Sequence, residues 1–117
     1  MRTLLTERLA GMSDDYGFQA QLGRVEAYLG DAEASIRAGK RAVELLPVEK
    51  DAYFGVDNIL ALAGDYAILG RAEPAVAQLR LAFAHPSVIT RQYLRVDPLW
   101  DPIRNDPAFK AFMAEAP

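Results

Sequence analysis

At 117 residues, 51% of them hydrophobic and led by Ala, Leu and Val, the chain has room for one domain with a modest core. That composition favours close-packed helices over a sandwich or barrel. Basic and acidic residues, 13 against 16, are mixed along the chain, so no basic stripe follows a phosphate backbone and no nucleic-acid partner is expected. With no cysteine, disulfides, thiolate metal sites and cysteine nucleophiles are excluded.

No run of about 18 apolar residues is present to span a membrane. Glu7 and Arg8 break the N-terminal apolar stretch, so a secretory signal is not expected and a cytoplasmic location is.

In chain order, residues 2–10 place Leu4, Leu5 and Leu9 on one helical face before Gly11 ends the segment. Ser13, Asp14 and Asp15 offer N-cap oxygens to a helix over 15–29, where Phe18, Leu22, Val25 and Leu29 recur at three- and four-residue steps. Gly30 closes it. A third helix runs from Asp31 to about Leu46, with Ile36, Val43 and Leu46 on its buried side, and Pro47 stops it. The longest helix, 51–69, is apolar nearly all round, which predicts neighbours on more than one side. After Gly70 a partner helix covers 72–84, with Pro74 tolerated in its first turn. Thr90 caps a short helix through Val96. Three Asp-Pro pairs follow, at 97–98, 101–102 and 106–107, each reading as an N-cap with the first residue of a turn or short helix. The last opens a helix over 107–115.

Residues 22–47 match residues 62–87 when slid by forty positions. Leu22/Leu62, Ala27/Ala67, Leu29/Leu69, Gly30/Gly70, Ala32/Ala72, Glu33/Glu73 and Ala42/Ala82 are identical. A match at fixed period marks a stacked repeat protein, whose units bury their apolar faces only against one another. The first unit carries Leu22-Gly23, Gly30, Ser35, Ala42 and Pro47. The second carries Leu62-Ala63, Tyr66, Gly70, Ala75, Leu79 and Ala82. On these residues the chain resembles the tetratricopeptide repeat family. It departs from the family at Glu26, where an aromatic is usual, at Gly39, where a large residue is usual, and in its longer period. The extra residues are expected to lengthen the 51–69 helix at its start by nearly two turns.

The resemblance implies an all-α, right-handed superhelix of about two and a half hairpin repeats in one domain. Its parts would be a partial repeat over 1–12, repeats over 15–47 and 51–87, and a cap of short helices over 88–117. The order ELLPVEKDAYFG, LALAGDYAILG, HPSVITRQYLRVDPLWDPIRNDPAF is also similar to the C-terminal segment of large bacterial signalling proteins. In those, such repeats follow a nucleotide cyclase, a serine/threonine kinase or a winged-helix regulator.

Catalysis is not expected. His85 is the one histidine and precedes Pro86 at a helix end, and no Ser or Thr has a base partner at useful spacing. The aspartates lack the alternating ligands and closing Glu of a calcium loop, so neither metal nor cofactor is expected. Trp100, between two Asp-Pro turns, is expected to pack on the last hairpin and seal the stack, with Arg104 tying those turns through Asp97 or Asp101.

The resemblance places ligand contacts on the first helix of each hairpin, at Gln21, Arg24, Tyr28, Asp57, Leu60 and Gly64, facing a protein or peptide partner. Ala20 with Arg24 does not reproduce the Lys and Asn pair that clamps a peptide carboxylate in that family. Reversing Arg24 to Glu is expected to weaken partner binding without moving the melting temperature. The function implied is a non-catalytic protein-interaction module; the alternative is a capping or dimerisation segment of a larger enzyme. Leu4, Leu5 and Leu9 form an N-terminal edge that is either covered by upstream chain or self-associates as a two-fold dimer.

Overall fold

The computed structural model describes residues 15–85 and 90–115, without the side chains of Ala52 and Tyr53. Every regular element among them is helical. Asp15 accepts from the N–H groups of Gly17 and Phe18 and so starts α1, Tyr16–Leu29. Asp31 does the same for Ala34 at the start of α2, Ala32–Leu45. Gly30 at φ 82° and Gly70 at φ 75° sit in the left-handed region that glycine enters without strain. Both turns close alike. Gly30 N–H donates to Ala27 and Asp31 N–H to Glu26, while Gly70 N–H donates to Ala67 and Arg71 N–H to Tyr66. The forty-residue period therefore appears as two copies of one helix-ending motif, each followed by a helix that folds back on the last.

The buried side of α1 is not its large-residue stripe. Gly23, Glu26 and Ala27 are buried, whereas Val25 and Leu29 are exposed and Phe18 and Leu22 half-buried. On α2 the buried set is Ser35, Ala38, Gly39 and Ala42, with Ile36 and Val43 only partly covered. Small residues let these helices approach closely, and a Cβ on Gly23 would come within 3.1 Å of the Ser35 carbonyl and 3.2 Å of the Gly39 nitrogen. Ser35 Oγ uses that proximity to donate to the Gly23 carbonyl at 2.7 Å.

α3, Ala52–Ile68, packs against α1, α2, α4 and the C-terminal segment, as its all-round apolar character requires. It begins one turn ahead of Val56, the counterpart of Tyr16, so the longer period is shared between this turn and the 46–51 connection rather than adding two turns to the helix. Asn58 Nδ2, buried in α3, donates to the carbonyls of Ala42 at 3.3 Å and Leu46 at 3.5 Å, tying α3 to the end of α2, where the Ala42 carbonyl also accepts from Leu46 N–H.

After α4, Ala72–Phe83, the chain forms α5, Arg91–Val96, a 3-10 helix over Pro98–Ile103, and α6, Pro107–Ala114. Asp97 and Asp106 cap the 3-10 helix and α6 by accepting from Leu99 and Ala108. The middle pair behaves differently. Asp101-Pro102 lies inside the 3-10 helix, and Asp101 is held by Arg104 Nε at 2.9 Å instead of capping an element of its own. The 3-10 helix lies on α3 and α6 on α4. The main core gathers there: Leu62, Tyr66, Leu79, Leu94, Trp100, Ile103, Phe109 and Phe112. None of the described helices is long and apolar enough to cross a membrane.

Candidate interaction surface

Gln21, Arg24 and Tyr28 recur at three- and four-residue steps and share one face of α1. Gln21 and Tyr28 point to solvent, Tyr28 at 69% exposure. Arg24 crosses to the neighbouring hairpin: its Nε donates to Asp65 Oδ1 at 2.7 Å and its Nη2 to the Ala61 carbonyl at 3.2 Å. On α3, Asp57 is exposed, Leu60 is half-buried against the core, and Gly64 lies beneath Arg24 and Leu99. A Cβ at Gly64 would sit 2.6 Å from Arg24 Nη2 and 3.1 Å from Leu99 Cδ2, so a larger residue there would oblige the Arg24 guanidinium to move. The structure thus brings Arg24 and Gly64 together and leaves Gln21, Tyr28 and Asp57 open on either side. Leu4, Leu5 and Leu9 lie outside the described residues.

Asp65 carries the electrostatics of this surface from below. It is 1% exposed, and a Cβ on Gly23 of α1 or Gly39 of α2 would lie 2.9 or 3.4 Å from its Oδ2. Burial raises its pKa above the ordinary 3.8, while the hydrogen bond and the charge of Arg24 pull it down. Among the described residues Oδ2 has no hydrogen-bond partner. Arg24 therefore joins the two hairpins and is not a free surface cation. Reversing it would set a second carboxylate beside a buried one and strand both, so the expectation of an unchanged melting temperature fails.

Sequence reasoning passed over Asp65 and Asn58. Part of the signal was present: a helix apolar nearly all round buries some of its few polar residues, and buried polar groups require partners. With Asp57 exposed and Asp65 buried on the same helix, the pattern alone does not say which.

At the C-terminal end, Trp100 is 1% exposed and stacks on Phe109, ring centroids 6.3 Å apart. Arg104 binds more than the Asp101 side chain: Nη1 donates to the carbonyls of Leu94 and Arg95, and Nη2 to that of Asp97, at 2.8–3.0 Å. It closes the end of α5 and fixes the 3-10 helix against it. His85 is half-buried, and among the described residues no group of three or more His, Asp or Glu is placed to hold a metal ion. Compared with protein-family models, with curated proteins and with solved structures, the chain returns no match.

Proposed function

We propose that the chain is a non-catalytic protein-interaction module whose two hairpins are tetratricopeptide-like units of a right-handed superhelix. In this reading it serves a regulatory or scaffolding part within a larger cytoplasmic signalling protein of bacterial type. The partner, a protein or peptide, lies along Gln21, Tyr28 and Asp57, over Arg24, Leu60 and Gly64. The observation that carries this is Tyr28: an aromatic at 69% exposure on a helix whose next turn is anchored by Arg24 to Asp65. Exposed aromatics on rigid elements lose little entropy on binding and make effective anchors.

The test is affinity capture from the native host with the intact chain and with Tyr28→Ala, which truncates a largely exposed side chain. A discrete partner retained by the former and lost by the latter, at equal melting temperatures, is expected. Equal capture by both overturns the reading. A second reading, a capping or dimerisation segment with no ligand, draws on Val25 and Leu29, exposed at 39% and 59% on another face of α1. Self-association with nothing else captured would favour it.

A further inference from the structure

Three arginines, Arg80, Arg91 and Arg95, gather on a surface away from α1. Between the end of α4, α5 and the end of α6 is an open cleft of about 940 Å³ lined by Arg80, Phe83, Arg91, Arg95, Phe112 and Glu115, among others. Arg91 is built in. Its guanidinium lies 4.4 Å from the centroid of the Phe112 ring and 5.1 Å from that of Phe83, and its Nε donates to the Phe112 carbonyl at 3.0 Å. Stacked and hydrogen-bonded in this way, it keeps its remaining N–H groups aimed without further loss of side-chain entropy.

A carboxylate already occupies that edge. Glu115, just past α6, reaches back so that Oε2 pairs with Arg80 Nη2 while Oε1 lies 3.6 Å from Arg91 Nη2. The latch is weak. Arg80 and Glu115 are 49% and 40% exposed, and exposed pairs of this kind are screened by solvent and contribute little. Arg95 is exposed one helical turn beyond Arg91 and has no side-chain partner among the described residues. Past Arg95 a second depression of about 440 Å³ continues with Arg104 and Lys110.

We infer that this cleft binds an extended acidic segment of a partner protein, whose carboxylate displaces Glu115 from Arg80 and Arg91. The spacing sets the pattern. Arg91 and Arg95 are four apart on a helix, roughly 6 Å between their Cβ atoms. In an extended peptide, residues two apart point the same way at about 6.6 Å. Acidic residues on alternate positions therefore meet Arg91 and Arg95 in turn, while Phe83 and Met113 supply apolar floor. The inference is independent of the α1 surface, since none of its residues lies on α1 or α3.

The probe is a fluorescently labelled peptide alternating Glu and Ser, titrated with the intact chain at low ionic strength and followed by anisotropy. Saturable binding that weakens with added salt is expected, and none by a peptide alternating Gln and Ser. Glu115→Gln, which opens the latch, is expected to tighten binding about two- to fivefold. Arg91→Gln should weaken it about tenfold or more. Because that variant also disturbs the two rings, Arg95→Glu serves beside it, with a tenfold loss at an unchanged melting temperature. Tyr28→Ala should leave the titration unaltered, which separates failure here from failure of the α1 reading. The inference is overturned if Glu115→Gln does not tighten binding, if Arg95→Glu binds like the native chain, or if oligothymidylate of equal length binds more tightly than the peptide.

Discussion

Asp65 stands where α1, α2 and α3 meet, and its position decides how the molecule answers to pH. Its folded-state pKa is raised because desolvation outweighs the help of Arg24. A carboxyl with a raised folded pKa contributes stability that is fully present below its unfolded value and lost as pH rises through the folded value. Lowering the pH from neutrality toward the ordinary value of 3.8 should therefore stabilise the native chain relative to Asp65→Asn, which cannot take up the proton. Urea midpoints of the two proteins across that range check it. If the native chain instead loses ground to the Asn variant on acidification, the Arg24 pair dominates and desolvation does not. Trp100 tests the other end of the fold. It is 1% exposed, so Trp100→Ala should cost about 3–5 kcal/mol, and its indole N–H has no partner among the described residues. Trp100→Phe keeps the ring on Phe109 and removes an unsatisfied donor, which offsets part of the lost volume; about 1 kcal/mol or less is expected. As the only tryptophan, Trp100 should emit in the blue and shift red on unfolding. A red, readily quenched native emission would contradict its burial.

Helix ends were the most legible elements, because their causes are local. Asp15, Asp31, Thr90, Asp97 and Asp106 each accept from a backbone N–H at a helix start, and a capping oxygen beside a periodic run declares itself in sequence. The turn glycines did the same. What sequence could not settle was which stripe of α1 turns inward. The large residues Val25 and Leu29 satisfy a helical period, yet the small stripe around Gly23 and Ala27 is the one buried. Periodicity identifies faces, whereas close backbone approach selects the face with least bulk. Asp101 was misread for a related reason: a cap needs a helix start, and Asp101 lies inside the 3-10 helix that Asp97 already starts, where its carboxylate accepts from Arg104. The matched turns carry a prediction of their own. At φ 82° and 75°, Gly30→Ala and Gly70→Ala each force a Cβ into the left-handed region, and about 1 kcal/mol should be lost per site. Denaturant midpoints measure this, and a neutral substitution at either position would show that the turn relaxes out of that conformation.

Over the whole molecule, stabilising contacts are distributed unevenly. Large side chains from α3, α4, the 3-10 helix and α6 fill the main core around Leu79, Trp100, Phe109 and Phe112. The first hairpin is held by small-residue packing, by Ser35 on the Gly23 carbonyl, and by Arg24 on Asp65. The C-terminal segment thus buries the apolar side of the second hairpin, while α1 keeps Val25 and Leu29 in solvent at 39% and 59% exposure. With Phe18 and Leu22, half-buried on the same stripe, they make a continuous apolar strip along the helix. Such an exposed apolar strip favours contact with another chain, and two copies of one strip meet most simply about a two-fold axis. The chain is expected to self-associate through α1, with a weight-average mass that rises with concentration in sedimentation equilibrium. Replacing Val25 and Leu29 together by Asp should hold it monomeric. Because both side chains are already exposed, the fold should lose no more than about 0.5 kcal/mol. A native chain that stays monomeric at every concentration reached would dismiss the strip as a contact surface. A double variant that still associates would place the contact elsewhere.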